Sequence, residues 1–371
     1  MDSSKNQYAI NLLRKMLEIY SPSGMEHELA YFLKTELEKL SFNNVRIDEV
    51  GNVIAECGEG RPKIMFLGHI DTVEGYLPVK ISENRIYGRG AVDAKSSMAA
   101  MIVASSKWMR NSGSASIMLC CLVEEEKGGR GIKNLLKKRL DADYAIFGEP
   151  CGVKRVTIGY KGHIGAVFSV KANPKHSSVV TEENAIESAL TLLNNIKTEF
   201  SKHQSPKSYF DSLTSNIVKI EGGNSRNTTP ESCTFYLDIR IPPRMNCDEV
   251  TAMLEKVTKE FNERHNAKSS LHIEFKVEPV VIDKHSPIVR AITRAILTVA
   301  GRPVSYIKKT GTGDMNLFAL KTSIPVATYG PGNPQLSHTF EEWIDIDEYL
   351  TSIDIYYKIM NELSKIHIKQ M

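Results

Sequence analysis

The chain has no run of about 18 apolar residues, no CxxC pair and no block of about five or six like charges. The first absence excludes a hydrophobic membrane-spanning helix. The amino-terminal "MDSSKNQYAINLLRKMLEIY" reads as an amphipathic helix without the apolar core of a signal sequence, so a cytoplasmic protein with no membrane partner is expected. Its six cysteines, at 57, 120, 121, 151, 233 and 247, lack metal-ligand spacing, and Cys120 and Cys121 sit inside the apolar run "SIMLCCLV". They are read as reduced, buried small hydrophobes. A formal net charge of +3, without a basic block, argues against nucleic acid and leaves room for an acidic partner. What is present is ordinary soluble composition, 42% hydrophobic and 25% charged, in 371 residues. That length exceeds what one hydrophobic core usually serves, so two domains are expected.

Helical and strand patterns alternate along the first part. Helices are predicted over 5–19 and 25–40, strands near 45–56 and 63–68, a small-residue helix "SSMAAMIVASSKWMR", the strand "SASIMLCCLV", a short helix near 129–138 and the strand "DYAIFG". Continuous apolar strands between helices indicate an α/β layer structure with a mostly parallel central sheet covered on both faces. The rhythm changes after "GEPCGVKRVTIGYKGHIG". A strand at 163–172, a helix at 181–200, strands at 214–220 and 232–241, a helix at 246–265 and the strand "SLHIEFKV" make a β-α-β-β-α-β order, that of a ferredoxin-like α+β module. The α/β pattern then resumes with helices at 286–300 and 313–320, a strand at 324–329 and a terminal helix at 346–365. The domain assignment that follows is 1–161 with 276–371 as one domain, interrupted by 162–275.

Chemistry-bearing residues collect where strands meet loops. "MFLGHIDTVEG" puts His69 and Asp71 two apart on one strand face, where the carboxylate could orient the imidazole; a chance surface pair is the alternative. "GRGAVDAK" places Asp93 before a helix, as a ligand or as an ordinary N-cap. "LVEEEKGG" stacks Glu124, Glu125 and Glu126 after a strand, a mutual repulsion that a cation resolves. "IFGEP" ends on Glu149, and "YGPGNPQLSHTFEE" brings His338 after a Gly/Pro turn. Histidines and carboxylates without thiolates suit zinc or another borderline divalent ion in a catalytic site. Two histidines and three carboxylates suffice for two ions sharing one carboxylate. Glu125 and Glu126, adjacent at a strand end, are expected to point in opposite directions, so that one faces the ions.

"GHIDTVEG", "GRGAVDAK", "EEEKGG", "GEP", "KHSS", "NTTPESCTFYLDIR", "GTGDMN" and "YGPG" with "SHTFEE" occur in the order seen in the co-catalytic zinc aminoacylases and carboxypeptidases, which the chain resembles over roughly residues 60–345. The resemblance implies a zinc-exopeptidase-like catalytic domain with an inserted lid and dimerisation domain. It implies two divalent ions per subunit, zinc with cobalt as a substitute, held by His69, Asp93 and Glu149 on one side and Asp93, Glu126 and His338 on the other. Asp93 would bridge through a cis peptide to Ala94, Asp71 would support His69, and Glu125 would be the general base. From the inserted domain, His176 (from the second subunit of a homodimer) and Asn227 would steady the oxyanion, and Arg240 would grip the substrate's α-carboxylate. A loop histidine and a strand-surface arginine are the plainer readings of His176 and Arg240. Gly311 and Gly313 would shape the substrate site, although Gly313 stands where many relatives have serine and Glu124 where they have aspartate.

Within that family, "GEPCGVKRVTIGYKG", "KKTGTGDMN" and "YGPGNPQLSHTFEEW" look most like the hydrolases that release lysine or ornithine from the terminal glutamate γ-carboxyl of an acidic amino-group carrier protein, in lysine and arginine biosynthesis. The basic clusters Lys137, Lys138, Arg139 and Lys154, Arg155 would suit such a carrier. Acetylornithine deacetylase, succinyl-diaminopimelate desuccinylase and, third, a general dipeptidase are the alternative enzymes. An inactive amino-acid or peptide binder is the alternative of another kind.

Overall fold

Apolar residues at consecutive positions, as in "KIMFLGH", can be satisfied only where a strand is covered on both faces. The computed structural model, which describes residues 3–111, 114–181, 183–301 and 303–368, puts that strand, Lys63–His69, inside a mixed sheet, with Ile64 through His69 buried. It lies parallel to Ser116–Leu122 on one side and Tyr144–Phe147 on the other, and Val326–Thr328 runs parallel to the latter. Antiparallel strands flank this parallel centre: Val53–Cys57 and then Asn43–Ile47 beyond Ser116–Leu122, and Arg155–Tyr160 beyond Val326–Thr328. The helix Lys95–Arg110 is buried along most of its length because Ser96, Ser97, Ala99, Ala100, Ala104 and Ser105 let it lie close to its neighbours, the terminal helix Ile346–Ile368 among them.

Two compact units result: residues 1–158, 282–307 and 317–371 form the larger, and 159–281 with 308–316 the smaller. The smaller unit therefore takes in 308–316, which the sequence reading left with the α/β part. Hydrogen bonds explain why: Thr312 Oγ1 donates to the Lys161 carbonyl (2.8 Å), and Asn316 Nδ2 donates to the carbonyls of Lys161 (3.3 Å) and Glu278 (2.9 Å).

The smaller unit carries one antiparallel sheet, Thr214–Gly222, Ser232–Ile241, Gly162–Lys171 and Lys268–Val277 in spatial order. The strands Gly162–Lys171 and Ser232–Ile241 alternate, with Ile164, Phe168, Phe235, Leu237 and Ile239 buried in a core shared with the helices Ala185–Ser201 and Cys247–Arg264. The first helix begins at Ala185 rather than 181, because the Asn184 side chain accepts from Ile186 and Glu187 N–H groups and caps it there; Glu182 lies outside the described residues. A capping box of Asn246 and Glu249 starts the second. All six cysteines are free and buried, as expected. Among the described residues, no helix is long and apolar enough to cross a membrane.

Candidate metal centre

The register of the parallel strands decides where the acids and histidines arrive. His69 stands level with Leu122, Leu67 with Phe147, and Phe147 with Thr328, so the segments carrying Glu124–Glu126, Glu149 and His338 all leave the sheet at the carboxyl end where His69 sits. Crevices at that end are where open α/β sheets usually bind ligands. His69 and Asp71 are 1% and 0% exposed, which removes the surface-pair reading. The helix after Asp93 begins at Lys95 with Ala94 at its N-cap position, so Asp93 is not an ordinary cap either, and the Asp93–Ala94 peptide is cis.

Five side chains meet there in two groups. Around His69 Nε2 lie Asp93 Oδ1 at 3.2 Å and Glu149 Oε1 at 3.8 Å. Around His338 Nε2 lie Glu126 Oε1 at 2.8 Å and Asp93 Oδ2 at 3.4 Å. Asp93 thus gives one oxygen to each histidine, and the ligand atoms of His69, Asp93 and Glu126 fall within 4.8 Å of one another. Two sets of one imidazole and two carboxylates, sharing one carboxylate, suit two borderline divalent cations. His338 has a left-handed φ of 64°, uncommon for a residue other than glycine.

Without a cation the acids recruit protons. Hydrogen bonds to Asp93 and Glu126 hold the His338 imidazolium up to about 10, against the cost of its partial burial. For His69, burial opposes the charged form, but Asp71 and Asp93 beside it outweigh that and raise it well above the ordinary histidine value. A metal would displace both protons, since only a neutral imidazole can coordinate.

Asp71 plays a broader part than the HxD spacing suggested. His69 Nδ1 lies 2.9 Å from the Asp71 backbone carbonyl and 3.5 Å from its carboxylate. The carboxylate instead accepts from the backbone N–H of Glu125 (3.0 Å) and Glu126 (3.1 Å) and from Ser23 Oγ (2.7 Å). Glu125 and Glu126 lie in a turn beyond the strand, so strand alternation is not what distinguishes them. Glu124, at φ 54°, gives its N–H to the buried Glu26 and its carboxylate to Arg130 at 2.8 Å, which takes it out of the repelling trio.

The remaining expected site residues lie in the smaller unit. His176 and Asn227 are neighbours: His176 bridges to Thr228, and the Ser177 N–H donates to the Asn227 carbonyl at 3.0 Å. His176 is exposed, with Ser178 Oγ 2.8 Å from its Nδ1. Arg240 is half-buried and forks onto Asp238, Nε to Oδ1 at 2.6 Å and Nη2 to Oδ2 at 2.9 Å, while Nη1 reaches Thr312 Oγ1 at 3.4 Å. Burial raises the Asp238 carboxyl, but His163 and Arg240 prevail and hold it down at about 2. Gly313 donates its N–H to Asn316 Oδ1 at 3.2 Å and accepts from the Asn316 backbone N–H at 3.0 Å, at the start of the helix Asp314–Lys321. At Gly311 a side chain would meet open space, so packing does not demand glycine there. Gly330 is demanded, because a Cβ would sit 2.6 Å from the Glu149 carbonyl oxygen.

Residues 65–362 match Peptidase family M20/M25/M40. The chain belongs to that family. A Saccharolobus solfataricus protein named "[LysW]-lysine/[LysW]-ornithine hydrolase" is 32% identical to this M20 chain, over 96% of each. The M20 metallo-carboxypeptidase Sso-CP2 from Sulfolobus solfataricus superposes with a TM-score of 0.78 at 21% identity, over 96% of this chain and 99% of its own. A Bacillus subtilis protein described as a "Dinuclear Metal Binding Peptidase from M20 Family" gives 0.74 at 15%, over 97% and 98%. At those identities the structural likenesses establish the fold alone. Glu26, Ser23, Arg89 and Glu342 hydrogen-bond to the segments that carry the site's side chains and are not singled out by the sequence, although Arg89 and Glu342 stand inside the quoted motifs "GRGAVDAK" and "SHTFEE".

Proposed function

We propose that this M20 hydrolase cleaves the amide between an amino acid, lysine or ornithine, and the terminal glutamate γ-carboxyl of an acidic amino-group carrier protein. The sharing of the two Asp93 oxygens between His69 and His338 is the observation that carries a hydrolytic two-metal reading. The name of the S. solfataricus relative, at 32% identity over nearly the whole chain, supports the substrate.

Divalent cations in the two donor sets would polarise the scissile carbonyl and make an attacking water more acidic. Zinc is the proposed ion, with cobalt as a substitute, since the donors are imidazole and carboxylate without thiolate. His69, Asp93 and Glu149 would hold one ion, and Asp93, Glu126 and His338 the other. Glu125 takes the proton from the attacking water and delivers it to the leaving α-amine. Asp71 serves this step through the backbone, since its carboxylate holds the N–H groups of Glu125 and Glu126. His176 and the neighbouring Asn227, both from the second subunit of a homodimer, steady the oxyanion, and Arg240 binds the α-carboxylate of the released amino acid. Gly311 and Gly313 are assigned to the backbone around the substrate.

The test is parallel incubation of the metal-loaded protein with lysine-loaded carrier, ornithine-loaded carrier and acetylornithine. Release of free lysine or ornithine from the carriers is expected. Turnover of acetylornithine alone would make the protein a small-molecule deacetylase, and binding without turnover of any would make it an inactive relative.

A further inference from the structure

The loop before Asp93 and the loop after His338 lie about 250 positions apart in the chain, yet a single buried ion pair fastens both. Glu342 is 1% exposed and Arg89 5% exposed. Glu342 Oε1 accepts from the backbone N–H of Val92 at 2.9 Å and of Asp93 at 3.0 Å. Its Oε2 accepts from Arg89 Nη1 at 3.1 Å. The same Nη1 donates to the carbonyl of Thr339, the residue after His338, at 2.8 Å, and Arg89 Nε donates to the Gly75 carbonyl at 3.0 Å. Apart from the bond between the two side chains, all of these hydrogen bonds go to peptide groups.

We infer that Glu342 and Arg89 are a positioning pair that sets the separation of Asp93 and His338, and through it the affinity for the cation between His338 and Glu126. The inference rests on the two-metal reading above. Asp93 has little freedom once its own N–H and that of Val92 are held by one carboxylate oxygen. His338 holds a left-handed backbone while the next carbonyl is pinned by the guanidinium. Only a planar fork can serve Glu342, Thr339 and Gly75 together, which lysine could not. An ion held by His69 and Glu149 would share only Asp93 with this clamp, whereas one held by His338 and Glu126 would depend on both loops. Loss of the pair should therefore act selectively.

Cobalt(II) is titrated into metal-free wild type, Glu342→Gln, Arg89→Lys and Arg61→Ala, with visible absorption reading coordination and a competing chelator setting free metal. Arg61 pairs with Asp141 and Asp143 beside the opposite end of the strand that finishes at His69, and so controls for simple destabilisation. Glutamine retains an acceptor for the two N–H groups but loses the charge that Arg89 needs, so Glu342→Gln isolates the pair. In both pair variants one cobalt equivalent should weaken by about 10- to 100-fold, the range for groups that orient metal ligands, while the other stays within about threefold. Arg61→Ala should leave both unchanged. Unchanged binding in the pair variants, or equal weakening of both equivalents, overturns the inference. If Glu342→Gln does not fold, Arg89→Lys decides. Wild type failing to take two equivalents would overturn the metal reading itself, and the inference with it.

Discussion

The proposed metal ligands and the proposed substrate contacts are anchored in different ways. In the larger unit, three buried carboxylates, Glu26, Asp71 and Glu342, accept from the backbone N–H groups of Glu124, of Glu125 and Glu126, and of Val92 and Asp93. The segments carrying Asp93 and Glu126 are thus fixed at their peptide groups. In the smaller unit, His176 stands exposed on a loop, and the guanidinium of Arg240, whose backbone lies in the strand Ser232–Ile241, is held by the side chains of Asp238 and Thr312. The groups proposed to meet a cation to within tenths of an ångström are held largely by backbone, whereas those proposed to meet a larger ligand keep more side-chain freedom.

Removing function without disturbing either kind of anchor should have the largest effect. Glu125→Gln leaves its backbone N–H on Asp71, so both metals should still bind while kcat falls by about 10²- to 10⁴-fold, the usual contribution of a general base. Metal analysis and steady-state rates check this, and near-normal turnover would move the base elsewhere. Arg240→Ala cuts a side-chain tether instead. If the guanidinium binds the α-carboxylate equally in ground and transition states, KM should rise by about 10- to 100-fold with kcat nearly unchanged. A fall in kcat at constant KM would assign Arg240 to the reaction centre rather than to substrate capture.

How much of this contrast the sequence revealed depends on distance along the chain. The proposed ligands His69, Glu126 and Glu149 stood out because each lies at or within a few residues of the end of an apolar strand, whereas His338 comes ten positions after Val326–Thr328, beyond a Gly/Pro turn. The reason for separating Glu125 from Glu126 was not legible, since the strand stops before them and a turn replaces its alternation. Glu342 and Arg89 lay in plain view in their motifs, but the backbone groups that Glu342 serves are about 250 positions away, and no local pattern reports such a pairing. Gly159 interrupts "RVTIGY", and that strand was passed over. The capture of 308–316 by the smaller unit depends on hydrogen bonds that close only in three dimensions.

The metal-free protein offers a pH test of the same contrast. His338 is held at about 10 by its bonds to Asp93 and Glu126, above its unfolded value of about 6.5. A raised folded pKa contributes stability that is complete below about pH 6.5 and lost as pH rises toward about 10. The denaturation midpoint of metal-free protein should therefore fall across that window, and His338→Gln should lose that part of the slope. Metal loading replaces the proton, so loaded protein should lack it too, and loading at pH 7 should release protons to an indicator dye. A midpoint that rises with pH in metal-free wild type, against a flat His338→Gln, would contradict the geometry assigned to His338.

The smallest effect expected is on the carrier, and it concerns surface rather than site. Lys137, Lys138 and Arg139 are exposed, and Lys138 reaches Glu49 at 3.7 Å, a distance at which an exposed pair neutralises little. If an acidic carrier is drawn to this surface, its attraction is screened as the Debye length falls from about 10 Å at 0.1 M salt to about 3 Å at 1 M. KM for loaded carrier should then rise several-fold with salt. KM for a small N-acyl-ornithine should rise less, because Arg240 is half-buried and its contact with the α-carboxylate is made at hydrogen-bond range. Reversing charge at Lys137 and Arg139 should reproduce the rise at low salt for the carrier alone. Equal salt dependence for both substrates would mean that the carrier gains nothing from this surface, and would leave recognition to the amino acid.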